Sequence, residues 1–252
     1  MPDRAVDQSA HFRVNVGTAQ ARVAIIFDYA SAWAWDTQPQ GADFDYFRLV
    51  FAAYRALRRL GLSIDILPPD TSDFAAYKLI LAPGLATLGP GPTAALRAFS
   101  GHALLGPRTN AKTPEMAIPV PLPPNLPGLD ATVTLVESLP PGVTVPLQTG
   151  NFVHWFEHLQ GTADTALTTT DNRPAMLRAG NLFYLCGWPD DAAFAAILTD
   201  VCARADIETT PLPDGLRLRD TATHRFLFNY APEPVGFDGH MIPPAGVLWL
   251  PL

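Results

Sequence analysis

The hydrophobic pattern of the first half of the chain predicts strands alternating with helices. A continuous apolar run at 22–28 is typical of a strand buried on both faces of a parallel sheet. Short apolar runs predict further strands at 63–67, 78–82 and 102–105, and a helix at 93–99. This order is typical of a doubly wound α/β layer.

An amphipathic helix is predicted at 45–60, where apolar residues recur at helical spacing and Gly61 ends the pattern. Its apolar positions are Phe47, Val50, Phe51, Tyr54, Leu57 and Leu60. Arg55, Arg58 and Arg59 are expected on one exposed face opposite to them. The pattern therefore predicts a helix lying on the sheet.

The second half predicts more β structure and one more helix. A strand is predicted at 132–139, and two runs at 174–178 and 182–186 flank an Ala-Gly-Asn turn signal and predict a hairpin. A helix is predicted at 190–205.

Beyond Pro213 the pattern changes to alternating runs at 216–219 and 225–230, with a final apolar run at 247–250, as in antiparallel β structure. We therefore expect an N-terminal extension at 1–20, an α/β domain at 21–209 and a small C-terminal β domain at 210–252.

Composition narrows the classes of partner. The 252 residues carry a net charge of −7, which argues against nucleic acid, and no run approaches the roughly 18 apolar residues that span a membrane. The start of the chain has no signal-peptide pattern, so the cytoplasm is the expected compartment, with Cys186 and Cys202 as buried free thiols. The 16% of charged residues and 26 prolines hint at a surface covered by a partner, although a GC-biased genome would also explain them.

One segment matches the H-x-x-E-H zinc motif, with His154, Glu157 and His158. The motif needs a helix, because residues four apart are roughly 6 Å apart along a helix but about 13 Å apart on a strand. The aromatic and β-branched residues of 151–159 favour a strand. We interpret the match as chance and predict no metal and no cofactor.

Other catalytic patterns are weak. Gly89, Gly91 and Ala94 fit a dinucleotide fingerprint, but Pro90 and Pro92 lack the N–H groups that would cradle a pyrophosphate, so a turn into a helix is the interpretation. No G-x-S-x-G elbow occurs, and neither cysteine lies in a sharp strand-to-helix turn.

The glutamates are harder to exclude, since two carboxylates about 5 Å apart suffice for a retaining glycosidase. We interpret each of them as a surface or loop acid. They are Glu115, Glu137, Glu157, Glu208 and Glu233.

Two tryptophans mark a candidate cleft or interface. Trp33 and Trp35 follow the first strand, and ligands and partners of open α/β sheets usually bind beyond the carboxyl ends of the strands. Asp28, at the end of that strand, and Arg108, after the fourth, complete the candidate set. Simple packing of a loop by the two tryptophans is an equal alternative.

Several ordered segments resemble the β-galactosidase trimerisation domain of glycoside hydrolase family 42. They are 23–28 (VAIIFD) followed by Trp33, the helix at 45–60, 79–84 (LILAPG), 105–109 (LGPRT), 118–122 (IPVPL), 136–139 (VESL) and 180–188 (GNLFYLCGW). Residues 225–234 (RFLFNYAPEP) resemble the C-terminal β domain of that family.

The resemblance implies a flavodoxin-like α/β domain, also similar to class I glutamine amidotransferases, that builds a homotrimer. It implies that both catalytic glutamates lie on a separate (β/α)₈ barrel, which alone needs about 250 residues, as many as this whole chain. None of the glutamates here inherits a catalytic role.

Three hypotheses for the function follow. The first is a non-catalytic trimerisation module. The second is a part of an active β-galactosidase, complemented by a separate barrel chain that binds the galactoside. The third is a stand-alone carbohydrate-binding module.

Overall fold

The structure, a computed structural model, describes residues 21–41 and 43–252. Its helices are α1 (Tyr29–Thr37), α2 (Tyr46–Arg59), α3 (Pro90–Ala98) and α4 (Asp191–Arg204). The first ten strands are β1 (Val23–Ile26), β2 (Ile64–Leu67), β3 (Leu79–Ala82), β4 (His102–Leu105), β5 (Ala131–Ser138), β6 (Val145–Pro146), β7 (Asn151–Gly161), β8 (Asp164–Thr168), β9 (Pro174–Ala179) and β10 (Leu182–Leu185). The others are β11 (Gly187–Pro189), β12 (Leu216–Asp220), β13 (His224–Asn229), β14 (Val235–Phe237), β15 (His240–Ile242) and β16 (Val247–Pro251).

The described residues cluster into two compact units, and the larger one comprises Arg22–Leu57 and Ile64–Thr209. Its main sheet has seven strands in the order β2-β1-β3-β4-β10-β9-β8. The strands from β2 to β10 in this order run parallel, while β9 and β8 are antiparallel additions. Strands β1, β3 and β10 are buried throughout, which is why they read as continuous apolar runs.

The helix α2 departs from its prediction in two respects. Its apolar stripe in the sequence is wider than the face that packs, because Phe47 and Phe51 are exposed. The buried apolar residues of α2 are Tyr46, Leu49, Val50, Ala53, Ala56 and Leu57. The arginine prediction also needs correction, since Arg58 is buried and its Nη1 donates to the carbonyl of Leu62 at 2.5 Å, next to the helix end.

The start of α3 differs slightly from its prediction, and the turn before it is confirmed. The helix α3 begins at Pro90, three residues before the predicted start, because a proline in the first turn has no N–H to leave unsatisfied. The turn interpretation of Gly89 is confirmed, since Gly89 is the N-cap of this helix. None of the described helices is long and apolar enough to cross a membrane.

A second, antiparallel sheet of β11, β7 and β5, with β6 beside β7, completes the larger unit. The hairpin of β9 and β10 is confirmed, with Leu182 opposite Ala179.

Cys186 and Cys202 are both free and buried, and burial raises the pKa of both thiols, that of Cys202 to about 12. Neither thiol is therefore an activated nucleophile.

The smaller unit contains Arg58–Ser63 and Thr210–Leu252 among the described residues. As predicted, it is antiparallel: β13 pairs with β12 on one side and with β16 on the other. A separate pair, β14 with β15, was not predicted, because its strands have three residues each. The small core of this unit contains the buried residues Leu216, Leu218, Leu227 and Ile242.

The buried side chain of Asn229 holds this unit together. Its Nδ2 donates to the carbonyls of Glu233 (2.8 Å), Ile242 (3.2 Å) and Pro243 (3.0 Å), and its Oδ1 accepts from the N–H of Ala231 at 2.9 Å. One amide thus ties the end of β13 to the segment before β14 and to the end of β15.

We expect Asn229→Asp to lower the free energy of unfolding of the smaller unit by at least about 2 kcal/mol, because a charged oxygen would face three carbonyl oxygens. Hydrogen exchange of the amides in 216–251 would measure it. The exposed Asn172→Asp is the control and should leave these amides unchanged. Equal effects of the two changes would contradict the assigned role of Asn229.

Candidate functional site

The carboxyl edge of the parallel strands is the usual ligand site of an open α/β sheet. Three of the four residues singled out in the sequence lie at or near this edge: Asp28 after β1, Arg108 after β4, and Trp35 on α1. All three are buried. The edge is therefore filled by the side chains of the chain itself.

Asp28 is the N-cap of α1. Its carboxylate accepts from the N–H groups of Ala30 (3.0 Å) and Ser31 (2.9 Å) and from the Ser31 hydroxyl (2.7 Å). The Ser31 hydroxyl in turn accepts from the N–H of Ala86 at 2.9 Å, beyond β3. A capping carboxylate stabilises the helix N-terminus. Asp28 therefore has a structural role, and both of its carboxylate oxygens already accept hydrogen bonds from α1.

Both tryptophans lie on the helix α1 that begins after the Asp28 cap, and not in a loop, which was one of the two alternatives for them. On α1, Trp33 and Trp35 are two residues apart, so they face different directions. Trp35 is completely buried, whereas 64% of Trp33 is exposed. Only Trp33 of the four candidate residues reaches the surface.

Trp35 closes the space above β3. Its Nε1 donates to the carbonyl of Gly84 at 3.1 Å, and its ring stacks on Phe44 at 4.4 Å. Gly84, in the turn after β3, has φ +65°, and a Cβ placed there would lie 2.7 Å from Cζ2 of Trp35. A side-chain nucleophile at this strand-to-helix turn would have no room.

Arg108 fills the adjoining space above β4. Its guanidinium carbon lies 4.9 Å from the ring centroid of Trp35, 5.1 Å from that of Phe44 and 5.2 Å from that of Trp155. Burial lowers the pKa of Arg108, and the rings offset that penalty by cation–π attraction. Its Nη1 has no hydrogen-bond partner among the residues that the structure describes.

Glu157 lies beneath this arginine, and its position corrects the expectation of a surface or loop acid. It is 2% exposed. Its Oε1 accepts from the backbone N–H of Arg108 (2.9 Å) and from Nε1 of Trp155 (3.0 Å), and its Oε2 accepts from the hydroxyl of Tyr184 (2.6 Å). Burial raises the pKa of Glu157 against the opposing effect of these hydrogen bonds, and burial also raises the pKa of Tyr184.

The sequence missed this buried carboxyl because β7 does not alternate regularly. Trp155, Phe156 and Glu157 are all buried in succession, next to an irregularity in the pairing of β7 with β11. His154 has φ 62°, which is the local backbone distortion. Periodicity of two cannot predict three consecutive inward residues.

The three residues of the zinc-like motif lie on a strand, as predicted, and point to different partners. Nδ1 of His154 lies 2.9 Å from the Asp43 carboxylate, and Nε2 of His158 lies 2.5 Å from that of Glu137. Within residues 21–41 and 43–252, no three His, Cys, Asp or Glu side chains are grouped so that they could hold a metal ion.

The stability of the chain should depend on pH through Glu157. Because burial raises its pKa above the ordinary 4.5, the folded chain keeps this proton to a higher pH than the unfolded chain does. The stability contributed by the neutral carboxyl is therefore complete below the ordinary pKa and is lost as the pH rises toward the folded pKa.

Glu157→Gln cannot ionise, so its free energy of unfolding should rise relative to that of the unaltered chain over a pH window that begins near 4.5, the ordinary pKa of a glutamate, and extends upward. Urea denaturation at several pH values in this window would measure the difference. A difference that does not change with pH would contradict the raised pKa.

The fold and this edge define an α/β module whose usual ligand crevice is filled by its own side chains. The sequence profile of a family described as "Beta-galactosidase trimerisation domain" matches residues 21–208. The chain belongs to this family of trimerisation domains of family 42 β-galactosidases.

Similar proteins carry much more chain. A β-galactosidase of Thermus thermophilus is 40% identical over an alignment of 225 residues that covers 86% of this chain and 34% of that protein. β-Galactosidase Bga of Halorubrum lacusprofundi is 28% identical over an alignment that spans 269 positions with its gaps and covers 92% of this chain and 38% of that protein. The chain thus spans little more than a third of these relatives.

Solved structures agree. The crystal structure of the β-galactosidase from the psychrophilic Marinomonas ef1 matches with a TM-score of 0.87 and 29% identity, covering 97% of this chain and 39% of that one. The β-galactosidase from the Antarctic haloarchaeon Halorubrum lacusprofundi matches with a TM-score of 0.83 and 28% identity, covering 99% and 43%. None of the sheets formed by the described residues is an eight-stranded barrel.

Proposed function

We propose that this chain is an assembly module that forms a homotrimer through its α/β domain, residues 21–209, and has no hydrolase activity of its own. The observation that carries the proposal is the match of residues 21–208 to a family described by trimerisation. Residues 210–252 form the accompanying small β domain of this proposal.

The filled carboxyl edge supports the non-catalytic part. Trp35 and Arg108 occupy the space in which a ligand would bind, and Asp28 is used as a helix cap. Glu157, the buried glutamate next to Arg108, is held by three donors in the interior and is not free to pair with a second carboxylate across a sugar.

A second candidate function is a share in an active β-galactosidase, in which a barrel polypeptide supplies the catalytic glutamates and binds the galactoside. The names of the relatives and the 34% to 38% of their length that this chain covers favour it. The two candidates differ only in whether hydrolysis appears when a barrel polypeptide is present.

We also infer a flavodoxin-like type of sheet and a cytoplasmic location. The order of the parallel strands, β2-β1-β3-β4-β10, supports the first, because it follows the 2-1-3-4-5 pattern of that type. Two free buried thiols fit a reducing compartment and support the second.

Light scattering of the purified chain over a dilution series tests the proposal, with a chromogenic β-galactoside assay on the same fractions. We expect a mass three times the 27.2 kDa of one chain, and no hydrolysis. A single-chain mass at every concentration would refute the homotrimer, and hydrolysis that follows the protein peak would refute the non-catalytic assignment.

A further inference from the structure

The C-terminal end of α2 belongs to the smaller unit. Residues Arg58–Ser63 cluster with Thr210–Leu252, although all elements from β2 to α4 lie between them in the chain. We call residues 58–63 the α2 end and residues 210–252 the tail. The contacts between these two segments determine whether the tail is a domain of its own.

The tail supplies hydrogen-bond donors for the last carbonyls of α2. The last four carbonyls of an α-helix have no partner within the helix. The N–H of Leu212 donates to the carbonyl of Arg59 at 2.8 Å, and the N–H of Thr210 donates to the carbonyl of Leu60 at 2.9 Å. The start of the tail therefore caps the helix.

The turn that ends α2 lies close against the tail. Gly61 has φ +78°, in the left-handed region that commonly ends a helix, and its N–H donates to the carbonyl of Arg58 at 3.3 Å. A Cβ placed on Gly61 would lie 3.0 Å from the carbonyl oxygen of Thr210 and 3.3 Å from its Cβ. A methyl group at residue 61 would thus force Thr210 away from the carbonyl that it caps.

Side chains of the α2 end contribute less to this attachment. Nη2 of Arg59 lies 3.3 Å from the carboxylate of Asp214, but the Asp214 side chain is 94% exposed, and exposed ion pairs contribute little. Arg58 is buried, and its bond to the carbonyl of Leu62 shapes the α2 end itself. The backbone hydrogen bonds and the close contact at Gly61 are therefore the main attachment.

Leu212 links this attachment to the core of the tail. Its N–H caps α2, and its side chain packs against the buried core of the smaller unit. That core is small, and the sequence of the tail contains no cysteine that could support it with a disulfide. A segment as short as the tail rarely folds alone without such support.

We propose that the tail folds only together with the α2 end, and that opening of the tail unwinds the last turn of α2. The two events are coupled, because a tail that leaves its core also withdraws the N–H groups of Thr210 and Leu212 from the helix. Such a coupling acts equally in both directions. The inference concerns the fold of one chain and does not depend on the proposed trimer.

Hydrogen exchange in the full chain tests the coupling from the side of the helix. Gly61→Ala should accelerate exchange of the amides in 216–251 by about tenfold or more, although the change lies outside the tail. Gly128→Ala is the matched control: Gly128 has φ +77°, and a Cβ placed there would meet nothing within 4 Å. It carries the same backbone strain and should leave the amides in 216–251 unchanged.

The reverse change tests the coupling from the side of the tail. Leu227→Ala removes a fully buried side chain from the core of the tail and should accelerate exchange of the amides in 216–251 by about tenfold or more. The amides of 58–61, at the end of α2, should accelerate by the same factor. The amides of β1 and β3, in the larger unit, should keep their rates.

Three results would overturn the inference. One is fast exchange in 216–251 of Leu227→Ala with unchanged rates in 58–61. Another is equal acceleration of β1 and β3, since the whole chain would then open as one unit. The third is an equal effect of Gly61→Ala and Gly128→Ala on 216–251. If Gly61→Ala does not fold, Leu227→Ala still decides the matter.

Discussion

Trp35→Ala is expected to lower the free energy of unfolding of the larger unit by about 3–5 kcal/mol, the range for removal of a large buried aromatic. The substitution deletes the stack on Phe44 and the edge contacts with Tyr46 and Trp188, whose centroids lie 5.8 Å and 6.2 Å away. It also leaves the carbonyl of Gly84 without its indole donor. The carboxyl edge of the sheet would then contain a cavity.

The matched control is Trp33→Ala, on the same helix. Because Trp33 is largely exposed, this change should alter the free energy of unfolding by no more than about 0.5 kcal/mol. Urea denaturation at one fixed chain concentration measures both, since unfolding of an oligomer depends on concentration. Similar losses for the two tryptophans would mean that Trp35 does not seal the edge.

Glu157→Ala is the second large expected effect, a loss of about 3–5 kcal/mol in the free energy of unfolding. The change leaves three buried donors without an acceptor: the backbone N–H of Arg108, Nε1 of Trp155 and the hydroxyl of Tyr184. Each unsatisfied buried group costs about 1–3 kcal/mol, and partial relaxation reduces the sum.

Glu208→Ala, at an exposed position, is the control for this change and should be close to neutral. Glu157→Gln separates the hydrogen bonds from the charge, because the amide oxygen can still accept from Arg108 and Trp155. We expect Glu157→Gln to keep most of the stability that Glu157→Ala loses, in urea denaturation near pH 5. A loss in Glu157→Gln as large as in Glu157→Ala would contradict a neutral carboxyl at this site.

The two sheet regions differ in how well the sequence predicts them. Strands β1, β3 and β4 were predicted within a residue or two, because a parallel strand covered on both faces must be apolar throughout. The second sheet was predicted only piecewise. The irregular pairing of β7 places three consecutive side chains inside, and no period in the sequence carries that information.

In the candidate site, too, some features of each residue could be predicted from the sequence and others could not. That Asp28 follows a strand and precedes a helix is visible in the chain, but its use as a cap depends on the position of Ser31 in the folded helix. Trp33 and Trp35 look equivalent in the sequence, whereas one is exposed and the other is buried against Gly84. Residue type alone cannot assign them different roles.

Local period, turn residues and ordered segments of similarity were enough to predict the α/β class, the antiparallel tail, the strand state of the zinc-like motif and the family. The folded chain was needed to show that Arg108 and Trp35 fill the crevice, that Glu157 is buried, and that Phe47 and Phe51 are left uncovered. These outcomes depend on which neighbours reach a side chain across the fold, and such contacts between distant residues leave no periodic pattern in the chain.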